Sequence, residues 1–174
     1  PYDVSKSCAD LIGLTYANTY GLPVAITRCG NLFGPGDTNL NRIIPGTIRS
    51  LLQGERPIIR SDGSPMRDYV HVQDTVSGYL LLAEKLGDPA YHGRAFNFGH
   101  GRPLSVLELT RMILRAGGRE DLEPVIENRA EGEILHQYLS ADRAREELGW
   151  VPGAPLEERL NETIDWYRDF LNHA

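Results

Sequence analysis

The stretch that decides the fold class is Val24-Ala25-Ile26-Thr27-Arg28-Cys29-Gly30-Asn31-Leu32-Phe33-Gly34-Pro35-Gly36-Asp37. Its first half is short and contains β-branched residues, which is typical of a buried strand. Its second half holds three glycines and a proline, which predict a loop with close backbone approach. In α/β folds, ligands bind at loops that leave the carboxyl ends of parallel strands. We therefore expect a ligand-binding loop over 30–37, in which the Asn31 carboxamide offers a donor and an acceptor.

Helical and extended patterns alternate on both sides of this stretch. Apolar spacing predicts helices at about 2–20, 42–53, 74–86, 105–116 and 156–171, with a short helix at 141–148. Short extended segments are predicted at 57–60, 69–72, 95–98, 124–126 and 137–139. This alternation indicates an α/β fold. For the third helix we expect Asp74 as the N-cap and an inward face of Val76, Leu80, Leu81 and Ala83.

Composition and charge narrow the class of protein. The 174 residues suffice for one ordinary domain, and the apolar share of 41% and charged share of 24% are near globular averages. A net charge of −6 argues against sequence-independent nucleic-acid binding, which needs a basic surface. No apolar run approaches the roughly 18 residues of a membrane span, and the two cysteines lack metal-ligand spacing. We therefore expect a cytoplasmic protein with no nucleic-acid partner, no membrane partner and no metal site.

The first helix carries a candidate catalytic pair, Tyr2 and Lys6. A spacing of four places both side chains on one helix face, one turn apart. A lysine ammonium beside a phenol favours the phenolate and lowers the tyrosine pKa, so Tyr2 is a candidate base for a sugar hydroxyl. The alternative is a solvated first turn with two unrelated polar residues.

Three arginines form the candidate substrate site. Arg60 and Arg67 lie seven apart on adjoining extended pieces, and a planar guanidinium suits the bidentate binding of a diphosphate. Arg129 lies in the polar run 127–133, the loop we expect to be most mobile, and is a candidate for closing over a phosphate or ribose. The alternative for all three is ordinary surface charge. For His71, between two valines of a short strand, we expect a packed rather than catalytic side chain.

In this order, these motifs resemble the C-terminal part of extended short-chain dehydrogenase/reductase enzymes that act on nucleotide sugars. The matching segments are Tyr2-x-x-x-Lys6, Arg28-x-x-Asn31-x-x-Gly34-Pro35, Arg67-Asp68-Tyr69-Val70-x-Val72-x-Asp74 and Leu148-Gly149-Trp150-x-Pro152. Within this family of NAD-dependent epimerases and dehydratases, the residues around them most resemble CDP-glucose 4,6-dehydratases. The segments that carry this finer likeness are 2–10, 27–31, 59–63 and 136–139.

The resemblance implies an NAD-dependent lyase and a role for each site residue. Tyr2 would take the C4 hydroxyl proton while hydride passes to the nicotinamide, and Lys6 would hold the nicotinamide ribose. Water would leave across C5 and C6, and the hydride would return to C6, giving CDP-4-keto-6-deoxyglucose. Asn31 would contact the sugar or nicotinamide, and Arg60 and Arg67 would bind the diphosphate. Arg129 is one place away from the loop arginine of the related dTDP-glucose enzymes.

The resemblance also implies a domain organisation. Residues 1–34 and 70–98 would be the remainder of a Rossmann NAD-binding domain, with the end of its parallel sheet. Residues 35–69 and 99–174 would form a small mixed α/β nucleotide-sugar-binding domain. The family's Gly-rich cofactor loop precedes the tyrosine and has no counterpart in these residues, so we expect the N-terminal cofactor half to be missing and this portion alone to be inactive.

The remaining expectations concern partner chains and alternative functions. The first helix would form a homodimer interface, and we expect 24–29, the strand left open by truncation, to be covered by another chain. A UDP-glucose-type 4-epimerase shares the same tyrosine, lysine and loop and is the close alternative. A non-catalytic nucleotide-binding or dimerisation fragment is the alternative from another class.

Overall fold

The computed structural model describes residues 1–130 and 132–173 and has the expected α/β architecture, with parallel sheet pieces. The helices are α1 Tyr2–Tyr20, α2 Ile43–Gln53, α3 Val72–Lys85, α4 Val106–Ala116 and α5 Leu156–His173. The strands are β1 Ile26–Cys29, β2 Asn31–Phe33, β3 Ile58–Ile59, β4 Met66–Arg67, β5 Tyr69–His71, β6 Ala95–Phe98, β7 Leu104–Ser105, β8 Val125–Ile126 and β9 His136–Gln137. A 3₁₀ turn spans Pro89–Tyr91, and a π-helical turn spans Ala144–Leu148.

Most strand pairs are parallel. β1 pairs with β6, β2 with β5 and β3 with β8, while β4 pairs antiparallel with β7 and parallel with β9. Within the described residues, β1 has no strand on its other edge. The expected covering of this edge by another chain therefore stays a prediction.

Two helices cover opposite faces of β1. A Cβ on Gly13 of α1 would lie 2.5 Å from the Ile26 side chain, so glycine permits α1 to approach one face. On the other face, the Tyr79 hydroxyl of α3 lies 3.7 Å from the Cys29 sulfur. Ile26 and Cys29 are three residues apart in the strand and therefore point to opposite sides.

The apolar stripe of α1 is on the surface. Val4, Leu11, Ile12 and Tyr16 are exposed, as is Cys8, and Ala17 is the buried residue of this helix. The stripe therefore stays available as an interface, and the expected homodimer through this helix stays a prediction.

The third helix differs from the sequence prediction in two ways. It begins at Val72, and its N-cap is His71, whose Nδ1 accepts a hydrogen bond from the backbone N–H of Gln73. Asp74 is therefore not the cap; it lies buried in the first turn. The predicted inward face is also wrong, because Val76, Leu80 and Ala83 are exposed and Leu81 is half-buried. The buried residues are Asp74, Thr75, Gly78 and Leu82. A Cβ at position 78 would collide with the Phe98 ring, so the α3 backbone packs closely against Phe98 at Gly78 and this side of the helix is buried.

The loop predicted over 30–37 is shorter than expected. Asn31–Phe33 forms β2, which pairs with Tyr69–His71. β2 is only three residues long, which is too short for an alternating pattern to reveal it. Gly34 and Gly36 have positive φ angles of 146° and 89°, so the true loop begins at Gly34.

Two buried clusters form the core. In the first, α2, α4 and α5 pack together through aliphatic side chains with Phe33, Tyr69 and Tyr167. The second joins Leu82, Phe96 and Phe98 to the 141–150 segment, where Trp150 packs edge-on to Phe98 with ring centroids 5.1 Å apart. The proposed division into 1–34 with 70–98 and 35–69 with 99–174 stays a prediction. No helix in the described ranges is long and apolar enough to cross a membrane.

Candidate functional site

Two clefts meet at the carboxyl end of β1. The tyrosine cleft, of about 1380 Å³, is lined by Tyr2, Lys6 and Arg28 among others. The arginine cleft, of about 750 Å³, is lined by Arg42, Arg49, Arg60 and Arg67 among others. Four residues line both clefts and mark the junction: Asn31, Arg42, Ile43 and Tyr69. The structure therefore brings most of the candidate site residues into one continuous groove.

Tyr2 and Lys6 lie together as their spacing predicts. The Lys6 ammonium is 5.6 Å from the centroid of the Tyr2 ring, and Tyr2 is 71% exposed. Both side chains therefore reach the tyrosine cleft from the first turn of α1.

Arg28 forms an ion pair in the wall of the tyrosine cleft. Its guanidinium donates two hydrogen bonds to the Asp10 carboxylate of α1, at 2.9 and 2.7 Å. This pairing lowers the pKa of Asp10 and raises that of Arg28. Because Arg28 is half-exposed, the pair adds little stability, and its effect is to tie α1 to β1.

Asn31 is held by the backbone of Asp68, a buried residue whose carboxylate binds a neighbouring loop. The Asn31 backbone N–H donates to the Asp68 carbonyl at 2.7 Å. The Asp68 carboxylate accepts N–H bonds from His100 and Gly101, each at 3.2 Å. Burial raises the pKa of this carboxyl, and the two N–H bonds oppose that rise. Asp68 thus joins the loops after β1, β4 and β6.

Tyr69 is the tyrosine at the junction, and it is buried. Burial raises its pKa to about 12, which makes it a poorer candidate base than an exposed tyrosine. Tyr2 and Tyr79 are the exposed tyrosines of the tyrosine cleft, at 71% and 47%. The Tyr79 hydroxyl lies against the Cys29 sulfur at 3.7 Å, so Tyr2 is the better candidate for contact with a substrate.

The arginine cleft is electropositive in an acidic chain. Its described lining carries the four arginines against two glutamates, Glu127 and Glu133. The Arg67 side chain is largely buried; it donates to the Met66 carbonyl at 2.8 Å and pairs with Glu133 at 3.5 Å. Arg60 is exposed and donates to Asn41 at 3.3 Å. Arginines in such a concave site suit an anionic diphosphate.

Two arginines of this cleft were missed from the sequence. Arg42 and Arg49 are seven residues apart at the start and middle of α2, so they share one helix face. This spacing was visible in the sequence and was the signal that could have identified them. Arg129, by contrast, lines neither cleft; it is exposed and pairs with Glu127. Its backbone N–H donates to the Arg60 carbonyl at 2.7 Å, and its contact with substrate stays a prediction.

His71 is packed, with its ring edge-on to Phe33 at 5.3 Å between centroids, and it is fully buried. No group of three or more histidines, cysteines or acidic residues that could hold a metal ion occurs in the described part of the chain. The chemistry that the groove offers is therefore that of a phenol, an ammonium, a carboxamide and several guanidiniums.

Residues 1–99 match the NAD dependent epimerase/dehydratase family. The chain is 35% identical over 171 residues to a dTDP-glucose 4,6-dehydratase of Streptomyces antibioticus, covering 97% of this chain and 49% of that protein. The chain thus spans about half the length of the curated relatives it matches.

Solved structures of two enzymes are similar in fold. One is a UDP-glucose 4-epimerase of Thermotoga maritima with UDP-glucose, with a TM-score of 0.86, 31% identity, and coverage of 98% of this chain and 54% of that one. The other is a dTDP-glucose 4,6-dehydratase of Streptomyces venezuelae with NAD and TYD bound, with a TM-score of 0.86, 31% identity, and coverage of 99% and 52%.

Proposed function

The chain belongs to the NAD dependent epimerase/dehydratase family, and on that premise we propose that it is the C-terminal, substrate-side portion of a nucleotide-sugar 4,6-dehydratase. The proposed reaction converts CDP-glucose to CDP-4-keto-6-deoxyglucose and water in deoxysugar biosynthesis. The observation that carries this proposal is the junction at Asn31, where a cleft with Tyr2 and Lys6 meets a cleft lined by four arginines. A sugar at the junction would have its diphosphate among the arginines.

The residues present fit one end of NAD. The Lys6 ammonium and Tyr2 hydroxyl line the same open cleft, one helix turn apart, and both can hydrogen bond to ribose hydroxyls. Asn31 lines that cleft too and adds an amide donor and acceptor. We therefore propose Tyr2, Lys6 and Asn31 as the contacts of the nicotinamide ribose.

The proposed roles follow from the chemistry of each side chain. Bound NAD supplies a hydride acceptor and returns the hydride later in the cycle. Tyr2 takes the proton from the sugar C4 hydroxyl, which general-base catalysis requires. Lys6 places its ammonium beside the Tyr2 ring, 5.6 Å from the centroid, and holds the nicotinamide ribose. Arg60 and Arg67 bind the diphosphate and fix the sugar relative to Tyr2. Arg129, in the neighbouring loop, closes over a phosphate or the ribose.

The preference for CDP-glucose rests on the likeness of the segments 2–10, 27–31, 59–63 and 136–139 to CDP-glucose enzymes. The similar proteins described above carry the names of dTDP-glucose and UDP-glucose enzymes. Competition among CDP-, dTDP- and UDP-glucose for the longer protein tests the preference; tighter binding of dTDP-glucose or UDP-glucose would contradict it.

The experiment for the reaction itself follows a label. The longer protein that carries this chain is incubated with NAD and CDP-glucose deuterated at C4. We expect deuterium at C6 of a product that has lost one water. The second candidate, a 4-epimerase, is favoured by the equal fold similarity to the UDP-glucose 4-epimerase, and it would return deuterium to C4 without loss of water. Nucleotide binding without any turnover by the longer protein would instead support a non-catalytic fragment.

We also propose a cytoplasmic homodimer. The exposed apolar residues of α1 support a dimer because they leave an unpartnered helix face. The two cysteines are free, which suits a reducing compartment.

A further inference from the structure

Arg49 is a buried donor in the arginine cleft that has no partner. It lies on α2, lines the cleft, and its Nε atom is buried with no hydrogen-bond partner among the described residues. Three other buried side-chain polar atoms in the described ranges lack partners, and they belong to His71, Thr75 and His100, which line neither cleft. An unsatisfied buried donor is costly, so a group that enters the cleft and accepts from Arg49 would remove that cost.

The position of Arg49 distinguishes it from the other arginines. α2 starts at the junction, where Ile43 lines both clefts, whereas Gly46, Thr47 and Arg49 line only the arginine cleft. Six residues at about 1.5 Å each place Arg49 about 9 Å along the helix axis from Ile43. If the sugar lies at the junction and the diphosphate lies at Arg67, the nucleoside extends further into the arginine cleft, where Arg49 can contact it.

The arginine cleft also has an apolar side chain in its lining. Ile58 of β3 lines the same cleft as Arg49 and is 57% exposed. An exposed isoleucine suits the face of a flat aromatic ring, and an N–H donor in the same cleft suits the ring's edge. Pyrimidines carry a carbonyl at C2, next to the bond to ribose, and purines carry none at the corresponding place.

We propose that Arg49 donates from Nε to the C2 carbonyl of a pyrimidine base, and that this contact selects pyrimidine over purine nucleotides. This inference rests on the proposed function, since it takes the arginine cleft to hold a nucleoside diphosphate. The C2 carbonyl is common to cytosine, uracil and thymine, so Arg49 selects the class of base rather than one member of it.

The test is calorimetric titration of the protein with CDP, UDP, ADP and pyrophosphate. In Arg49→Met we expect CDP and UDP to bind about tenfold to a hundredfold more weakly, the usual effect of losing a hydrogen bond from a charged donor. Pyrophosphate and ADP should bind as before. Arg115→Met removes an exposed arginine of α4 outside both clefts and should change nothing.

A second variant separates the hydrogen bond from the charge. Arg49→Lys keeps the positive charge but has no N–H at the ε position, so it should remain as weak as Arg49→Met for CDP. Recovery of CDP binding in Arg49→Lys would overturn the proposal. Equal loss of pyrophosphate would assign Arg49 to the phosphates, and equal loss of ADP would assign it to the ribose; either result would overturn it. If the unsubstituted protein binds none of the four, the proposed function fails and this inference fails with it.

Discussion

Tyr2 is the residue on which the proposed reaction depends, because it is the most exposed phenol of the tyrosine cleft and it has an ammonium beside it. In the longer enzyme, Tyr2→Phe should lower kcat by about 10²- to 10⁴-fold, the usual contribution of a positioned base. Nucleotide affinity should stay unchanged, since the proposed diphosphate site is in the other cleft. Tyr20→Phe, at the exposed opposite end of α1, is the control. A Tyr2→Phe enzyme with normal kcat would remove Tyr2 from the chemistry.

Arg60 and Arg129 are both exposed, but they lie at different positions relative to the arginine cleft. We therefore expect their substitution to have different effects on nucleotide binding. Arg60 lines the arginine cleft, whereas Arg129 lies outside it and pairs with Glu127. In titrations with CDP, Arg60→Met should weaken binding about tenfold, the value of one hydrogen bond to a charged group. Arg129→Met should weaken it less. A larger loss for Arg129→Met would mean that its loop closes over the ligand.

At the scale of elements, Asp74 connects α3 to the C-terminal part of the chain. Its carboxylate accepts from Arg159 of α5 at 2.7 Å and from the Gly153 backbone N–H at 2.9 Å, and its carbonyl accepts from the Trp150 indole at 3.0 Å. Asp74 is 2% exposed and the Arg159 side chain 11%. Asp74, which the sequence pattern predicted to be a helix N-cap, therefore connects α3, the 150–153 segment and α5.

Removal of the Asp74 carboxylate should be destabilising because the Gly153 N–H loses its acceptor and Arg159 loses its buried partner, keeping Glu162 and Gln73. We expect Asp74→Ala to lower the free energy of unfolding by about 1–3 kcal/mol, measured by urea denaturation. Asp165→Ala, which breaks the exposed pair with Arg168 on the same helix, should have little effect. In a double-mutant cycle, Asp74→Ala with Arg159→Ala should cost less than the sum of the single changes; additivity would argue against the coupling.

At the scale of the whole molecule, the buried His71 and the half-buried His100 make stability depend on pH. Burial lowers the pKa of His71 and of His100 below 6.5. In that range the unfolded chain binds protons that the folded protein does not, so stability is lost as pH falls below 6.5 toward the folded pKa values. Asp68 acts in the opposite sense, because its raised pKa makes the folded state bind its proton more tightly.

This pH dependence can be assigned by substitution. His71→Asn keeps a side-chain acceptor for the start of α3 but removes the titrating ring. The fall in unfolding free energy between about pH 7 and pH 5 should therefore be shallower in this variant, as followed by urea denaturation at several pH values. His136→Asn changes an exposed histidine of β9 and should leave the slope unchanged. An unaltered slope in His71→Asn would exclude His71 as its source.

The exposed stripe of α1 should govern association of the whole molecule. Val4 and Leu11 are seven residues apart on one face and both are exposed. Val4→Glu with Leu11→Glu should convert a homodimer to a monomer, because like charges would face each other across the two-fold axis. Light scattering on a sizing column measures the state. Leu80→Glu, on the exposed face of α3, is the control; dissociation by this change alone would place the interface on α3.

The sequence by itself determined the elements whose signals are local. Gly21 and Gly54 end α1 and α2 in the left-handed conformation, and Ser105 with Glu108 forms the capping box of α4. The one-turn spacing of Tyr2 and Lys6 was equally local. Such features depend on residues within a few positions of one another, so they can be read along the chain.

Only the tertiary structure decided which residues share a cleft and which helix faces are buried. β2 exists because it pairs with β5, nearly forty positions away, and Asp74 is buried because Arg159 reaches it. The face of α3 that packs is chosen by the close approach of Gly78 to Phe98, not by the apolar pattern of its own sequence. Arg49 and Arg67 meet in one cleft for the same reason: pairing between distant segments fixes their positions, and no local rule encodes it.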